Sequence, residues 1–166
     1  MSVAPFRVVA LESGHDRTAF DSGSAALDHY FRQQVGQDIR RRVTACFVAL
    51  TPEACIVGFY TLASASLLLA DLPLSLRKKL PRYPTVPAVR MGRLAVDRAY
   101  RDQGLGGALL ADALVRTMRA EIAAYALVVD AKDEIAVAFY RHHGFLQWSD
   151  SEPTLFLPLA TARSVQ

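Results

Sequence analysis

Apolar positions along the chain recur in two rhythms, one suited to strands and one to helices. Phe6 to Leu11 reads as a first strand. Val43 to Leu50 and Cys55 to about Leu68 are two longer apolar runs separated by Thr-Pro-Glu, which predicts a hairpin. Val89 to Asp97 and Tyr125 to Ala131 are β-compatible, and two short strands are expected near Phe145 to Trp148 and Thr154 to Leu157. Between these runs the spacing becomes helical. Asp21-Ser-Gly-Ser offers an N-cap for a helix from about Ala25 to Gln37, with Leu27, Tyr30 and Phe31 on one face. Leu105, Leu109 or Leu110, Leu114, Met118 and Ile122 mark a second helix. A third runs from about Asp133 to His143 and is closed by Gly144; Ile135, Ala138, Phe139 and His142 form its stripe, with Tyr140 turned away. Leu72 to Leu80 predicts a short basic helix ended by Pro81, Pro84 and Pro87, the segment best suited to be a flexible insertion. Strand, helix, hairpin, strand, helix, strand, helix, strand, strand describes a mixed α/β sheet.

A chain of 166 residues that is 52% hydrophobic can bury a sizeable core, so one domain over residues 1–159 is expected, followed by a flexible tail at 160–166. The net charge of +3 is too small to diagnose a nucleic-acid binder, which moves attention to clustering. Cys46 and Cys55 lack metal-ligand spacing and have apolar neighbours, as reduced core cysteines of a cytoplasmic protein do; a disulfide between neighbouring strands is the alternative. No metal site is expected. The N-terminus shows no secretory pattern, and the uncharged run from 54 to 70 is interrupted by Gly58, Ser64 and Ser66, so it reads as a buried strand rather than a membrane span.

Candidate chemistry centres on Met91 to Leu110, a strand, a tight turn and a helix. The turn contains Arg101-x-x-Gly104-x-Gly106-Gly107, so its glycines lie at a helix start, where free N–H groups and the helix dipole favour phosphate. Tight packing alone would also explain the glycines. The dinucleotide-binding pattern G-x-G-x-x-G directly after a first strand is absent.

This stretch resembles the acetyl-CoA pyrophosphate loop of the GNAT acetyltransferases, R/Q-x-x-G-x-G/A, and the order of elements is similar to theirs. The resemblance implies the GNAT fold, a central, mostly antiparallel sheet flanked by helices, and acetyl-CoA as acetyl donor. It implies that Arg101, Asp102, Gln103, Gly104, Leu105, Gly106 and Gly107 form the pyrophosphate loop and that backbone groups of Leu94, Ala95 and Val96 hold pantetheine. Tyr140-Arg-His-His-Gly144-Phe145 matches the family's tyrosine before x-x-x-G-F. Tyr140 would then be the general acid that protonates the departing thiolate, as a phenol of pKa near 10 can. On the residues alone the favoured reading is an amphipathic tyrosine with a buried ring and a wet hydroxyl. Asp133 stands where the family commonly has Asn in contact with pantetheine, and can instead cap the helix. His142 and His143, near the helix end, suit capping or surface roles better than a base.

Phe20-Asp-Ser-Gly, Ile56-Val-Gly-Phe-Tyr-Thr-Leu62, Leu80-Pro-Arg-Tyr-Pro84, Gly92-Arg-Leu-Ala-Val-Asp97 and Val129-Asp-Ala131 together are similar to the GNAT toxins of bacterial toxin–antitoxin modules. That subgroup implies acetylation of the α-amino group of aminoacyl-tRNA, neutralisation by a ribbon-helix-helix antitoxin, room for a homodimer, and no membrane. Two features read from the residues agree. Arg40 to Arg42 and the group Arg77, Lys78, Lys79 and Arg82 are basic clusters without an interspersed acid, and Arg90 and Arg93 flank the catalytic strand; phosphate binding or ordinary solvated surface would explain them. The strand has no Asp or Glu before Asp97 to act as base, and an α-amine of pKa about 8 scarcely needs one. The alternatives are an acetyltransferase for a small amine or protein N-terminus, and a non-catalytic CoA-binding module.

Overall fold

The computed structural model describes residues 6–147 and 153–163; Trp148, at the end of one expected strand, lies outside them. Seven strands form a mixed, mostly antiparallel sheet in the order β1-β2-β3-β4-β5-β7-β6. They are β1 Arg7–Ala10, β2 Ala45–Leu50, β3 Ile56–Leu68, β4 Thr85–Val96, β5 Ala126–Asp130, β6 Leu146–Gln147 and β7 Thr154–Pro158. Six α-helical segments accompany them: α1 Ala25–His29, α2 Val35–Arg40, α3 Leu74–Arg77, α4 Leu105–Arg119, α5 Glu134–His142 and α6 Leu159–Arg163. The chain forms two compact units, one of residues up to Ala63 with Gly92–Ala113, the other of Ser64–Met91 with the residues from Leu114 onward.

In the first unit β1, β2 and β3 form an antiparallel meander, with Arg7 opposite Leu50 and Ala45 opposite Leu62. The Thr-Pro-Glu hairpin is confirmed. Thr51 closes it by accepting the Cys55 N–H on its hydroxyl, and Ala54 takes the left-handed conformation at φ 65°. This turn leaves Cys55 exposed, which corrects the expectation that both cysteines are core residues; Cys46 is buried, and both are free thiols. Ser24 caps α1 by accepting the Leu27 N–H, and Tyr30–Gln34 continue from α1 into α2 as one π-helical turn. That turn keeps Phe31 inside, stacked on Phe59 at 4.2 Å between ring centres and 8° between planes, with Phe20 edge-on to both. Val35, Val48, Leu50 and Ala95 close this core.

In the second unit β4 runs parallel to β5, with Ala88 opposite Ala126 and Met91 opposite Val129, and β5 pairs antiparallel with β7. The last strand, β7, thus lies between β5 and β6. Sequence order does not indicate this. Strand β4 starts four residues before the predicted Val89 because Pro87, which has no N–H to donate, is exposed and accepts the Tyr125 N–H on its carbonyl. Leu67, Val86, Ala88, Ala126, Val128 and Phe156 make the core here. The expected basic helix is shorter than predicted: a 3₁₀ turn at Leu69–Asp71 and the single turn of α3. Ile122 lies past the end of α4 and is 87% exposed, so the apolar spacing overran the helix. Residues 159–163 are helical. No helix among the described residues is long and apolar enough to cross a membrane.

Because Phe31 and Phe59 are both fully buried, Phe59→Ala removes a large side chain and its stacking partner's support. The expected loss is about 3 to 5 kcal/mol, read from urea unfolding, with the Phe31→Ala/Phe59→Ala double variant losing less than the sum.

Candidate functional site

The β4–β5 register ends at Met91, which leaves Leu94, Ala95 and Val96 outside that ladder. The strand is instead held within the first unit. Thr61 accepts the Arg93 N–H on its hydroxyl at 3.1 Å, and the Asp97 N–H donates to Val57 at 2.9 Å. A side chain at position 92 would stand 3.2 Å from that Thr61 hydroxyl, which accounts for Gly92 as a close approach. Beyond Asp97 a 3₁₀ turn at Arg98–Tyr100 leads into the glycine loop, where Asp102 and Gly104 have φ of 63° and 77°. The Gly104 carbonyl accepts the Ala108 N–H at 3.1 Å, the first bond of α4. The amides of Leu105, Gly106 and Gly107 consequently have no intrahelical partner. A side chain at Gly104, just before these amides, would meet open space. This is a geometry suited to a pyrophosphate.

Arg101, expected to belong to the anion-holding loop, turns its guanidinium away to the Ser22 carbonyl, a close hydrogen bond. Its neighbours act in the same direction. Arg98 pairs with Asp21 at 2.5 Å, and the Asp21 N–H donates to the Asp97 carboxylate at 3.1 Å. The Gly23 N–H and then the Arg98 guanidinium hold the Asp21 carboxyl below its usual range. Gly23 has φ 88°, and a methyl there would lie 2.7 Å from the Arg101 guanidinium, so only glycine fits. Asp28 fixes the same segment by accepting the Ser22 N–H and hydroxyl. Sequence reasoning missed this clamp. The Phe20-Asp-Ser-Gly motif was its visible signal, but nothing in the sequence pairs it with residues 76 to 79 positions away.

Tyr140 lies in the second unit, on α5. Asp133 caps this helix, its carboxylate accepting the Ala136 N–H at 2.8 Å, so capping is the role that the structure gives it. Of the predicted stripe on α5 only Phe139 is partly covered: Ile135 is 81% exposed, Ala138 and His142 are exposed, and Tyr140 is buried. The covered side of the helix carries Ala136, Val137 and Phe139, each half-buried, together with Tyr140. The Tyr140 ring sits edge-on to Phe139 and tilted against Phe145. Burial, and then the negative Asp130, push its hydroxyl up to about 12. That hydroxyl has no hydrogen-bond partner among the described residues, so it is available as a donor to something that enters. His143 caps the helix end and packs against Phe139, and burial followed by the neighbouring His142 lowers its pKa.

The basic residues separate into two groups. Arg90 forms a solvent-exposed ion pair with Asp130, and Arg93 lies over the Tyr30 ring at 3.5 Å from its centre, so each has a partner within the fold. Arg77, Lys78, Lys79 and Arg82 have no ion-pair partner among the described residues, and Lys78, Lys79 and Arg82 are exposed. Arg40 to Arg42 are exposed as well. The described residues hold no group of three or more His, Cys, Asp or Glu that could bind a metal.

Comparison with known proteins places these features in context. Residues 44–147 match the Acetyltransferase (GNAT) domain. The chain is 37% identical over 165 residues to a tRNA-acetylating toxin of Mycobacterium tuberculosis, covering 98% of this chain and 95% of that one. The structure of AtaT complexed with acetyl-methionyl-tRNAfMet superposes with a TM-score of 0.87 at 29% identity, covering 96% of this chain and 98% of that one. A mutant AtaT toxin bound to the C-terminus of the antitoxin AtaR and acetyl-CoA gives 0.78 at 25% identity, covering 96% and 97%.

Gly106→Glu sets a carboxylate among the unpartnered amides of α4. Calorimetry with coenzyme A should show binding lost while the unfolding temperature stays near the native one; unchanged affinity would remove this loop from the site.

Proposed function

The chain belongs to the GNAT family of acetyltransferases, and we propose that it is a toxin whose acceptor is the α-amino group of aminoacyl-tRNA. It is an acetyl-CoA-dependent N-acetyltransferase. The observation that carries the choice of acceptor is the likeness to a tRNA-acetylating toxin along nearly the whole length of both chains. A likeness confined to the family's cofactor-binding half would leave the acceptor open.

Acetyl-CoA supplies the acetyl group as a thioester whose sulfur departs with the bonding electrons. The amides of Leu105, Gly106 and Gly107 bind the pyrophosphate, and backbone groups of Leu94, Ala95 and Val96 orient the pantetheine arm and polarise the thioester carbonyl. Arg98 and Arg101 position the loop through Asp21 and Ser22 rather than touching the anion. Tyr140 donates its proton to the sulfur. The attacking amine loses a proton as its new N–C bond forms, and solvent returns one to the phenol, so the balance closes without another co-reactant. No carboxylate needs to serve as base, because an appreciable fraction of an α-amine of pKa about 8 is neutral near pH 7. The proposed catalytic domain is residues 1–159, supported by the family match over residues 44–147.

Charged tRNA fits the unpaired cations Arg77, Lys78, Lys79 and Arg82, which a free amine would not need. A ribbon-helix-helix antitoxin is the proposed inhibitor and a homodimer the proposed assembly, the first supported by the neighbour seen with an antitoxin C-terminus. The proposed place of action is the cytoplasm, where charged tRNA is found.

Three measurements test these assignments. Tyr140→Phe should lower kcat by about 10² to 10⁴ while leaving acetyl-CoA affinity unchanged; full activity would return Tyr140 to a packing role. The pH profile has a definite sign. A phenol pushed up to about 12 stays protonated far above neutrality, so kcat/KM should rise through the amine's pKa near 8 and show no descending limb from Tyr140 before about pH 11. Replacing Arg77, Lys78, Lys79 and Arg82 with Ala should weaken tRNA binding and reduce the slope of log K against log salt by about 3. Label from acetyl-CoA appearing on free amines but never on charged tRNA would sink the acceptor assignment.

A further inference from the structure

Within the second unit, where β3 ends and β4 begins, the surface folds in to leave an open groove of about 570 Å³. Leu68, Leu69 and Pro84 give it apolar walls, and Arg77, Arg82 and Tyr83 line it as well. The Leu69 N–H donates to the Pro84 carbonyl at 3.0 Å, which pins the two sides together. Three features of this groove lack an explanation within the fold. Tyr83 is 69% exposed and Leu68 55% exposed, large apolar areas left in water beside one another. The Arg77 Nε is buried without a hydrogen-bond partner among the described residues, which leaves this guanidinium incompletely satisfied by the fold. Arg82 is exposed and has no ion-pair partner among the described residues.

An aromatic face, apolar walls and two guanidinium groups, with an acceptor wanted by one of them, make a chemical match to an unpaired nucleotide. Its base has a π-face to stack, and its phosphate has the negative oxygens that Arg77 and Arg82 lack. An apolar peptide would fill the walls but leave the buried Nε and the second charge unanswered. A duplex would meet the charges but present no free base to Tyr83. We propose that the groove is a subsite for an unpaired nucleotide of the tRNA acceptor end, with its base stacked on Tyr83 and its phosphate held by Arg77 and Arg82. This rests on aminoacyl-tRNA being the acceptor and adds to it a residue, Tyr83, that carries no charge and that salt-dependent attraction does not explain. The groove holds none of the residues assigned to acetyl transfer, so it acts on substrate affinity rather than on the chemical step.

The test uses the native enzyme, Tyr83→Ala and Tyr83→Phe, with charged tRNA and with an amino acid methyl ester as a nucleotide-free acceptor. Tyr83→Ala should raise KM for charged tRNA by about 5- to 100-fold with little change in kcat, and Tyr83→Phe should keep the native KM, because stacking needs the ring and not the hydroxyl. Turnover of the methyl ester and affinity for acetyl-CoA should be the same in all three. A native KM for charged tRNA in Tyr83→Ala would overturn the proposal while leaving the acceptor assignment standing. If that variant instead escapes inhibition by the antitoxin with its tRNA KM intact, the groove belongs to the peptide and the proposal is equally overturned. A native enzyme that never labels charged tRNA would be a failure of the acceptor assignment itself, and the subsite would fall with it.

Discussion

Three unpartnered amides at a helix start can hold an anion only if the chain leading into the helix cannot relax around them. In this protein that constraint is met by a segment far away in sequence. Arg98 and Arg101 reach back to Asp21 and Ser22, Asp97 accepts the Asp21 N–H, and Asp28 locks Ser22 from the other side. The exposed ion pair contributes little stability in itself. Its importance is geometric, because it tethers the turn in which Asp102 takes the left-handed conformation that leads into α4. The amides of α4 are left free to bind because the side chains before them are committed elsewhere.

The same division between committed and uncommitted groups runs through the rest of the molecule. Arg90 and Arg93 have partners in the fold, Asp130 and the face of Tyr30, whereas Arg77, Lys78, Lys79 and Arg82 have no ion-pair partner among the described residues. Tyr30 has an ordinary structural fate for a buried phenol, donating to Asp38 at 2.8 Å. Tyr140 is buried to a similar degree, and no described residue accepts from its hydroxyl. Burial also explains why this phenol keeps its proton: withdrawing it from water penalises the phenolate, and Asp130 adds to the penalty.

Much of this was present in the sequence. Alternation and helical spacing located every strand and the main helices, since those periods are imposed by the backbone and are independent of what packs where. The Thr-Pro-Glu hairpin, the Asp133 cap and Gly144 at φ 93° were legible because turns and caps are local chemistry. Gly104 and Gly106 suggested a phosphate loop for the same reason, and Tyr140 was singled out by the resemblance of Tyr140-Arg-His-His-Gly144-Phe145 to a family pattern. Sequence could not supply which of two apolar-looking faces of α5 is covered, because coverage is a property of the neighbours. Ile135 looked like core and is exposed, while Tyr140 looked turned away and is buried. Nor could it place β7 between β5 and β6, bring Asp21 to Arg98, or show that Arg90 and Arg93 are occupied while Arg77 has a buried nitrogen with nothing to bind. Each of these is decided by groups distant along the chain, and only the tertiary structure brings them within reach of one another.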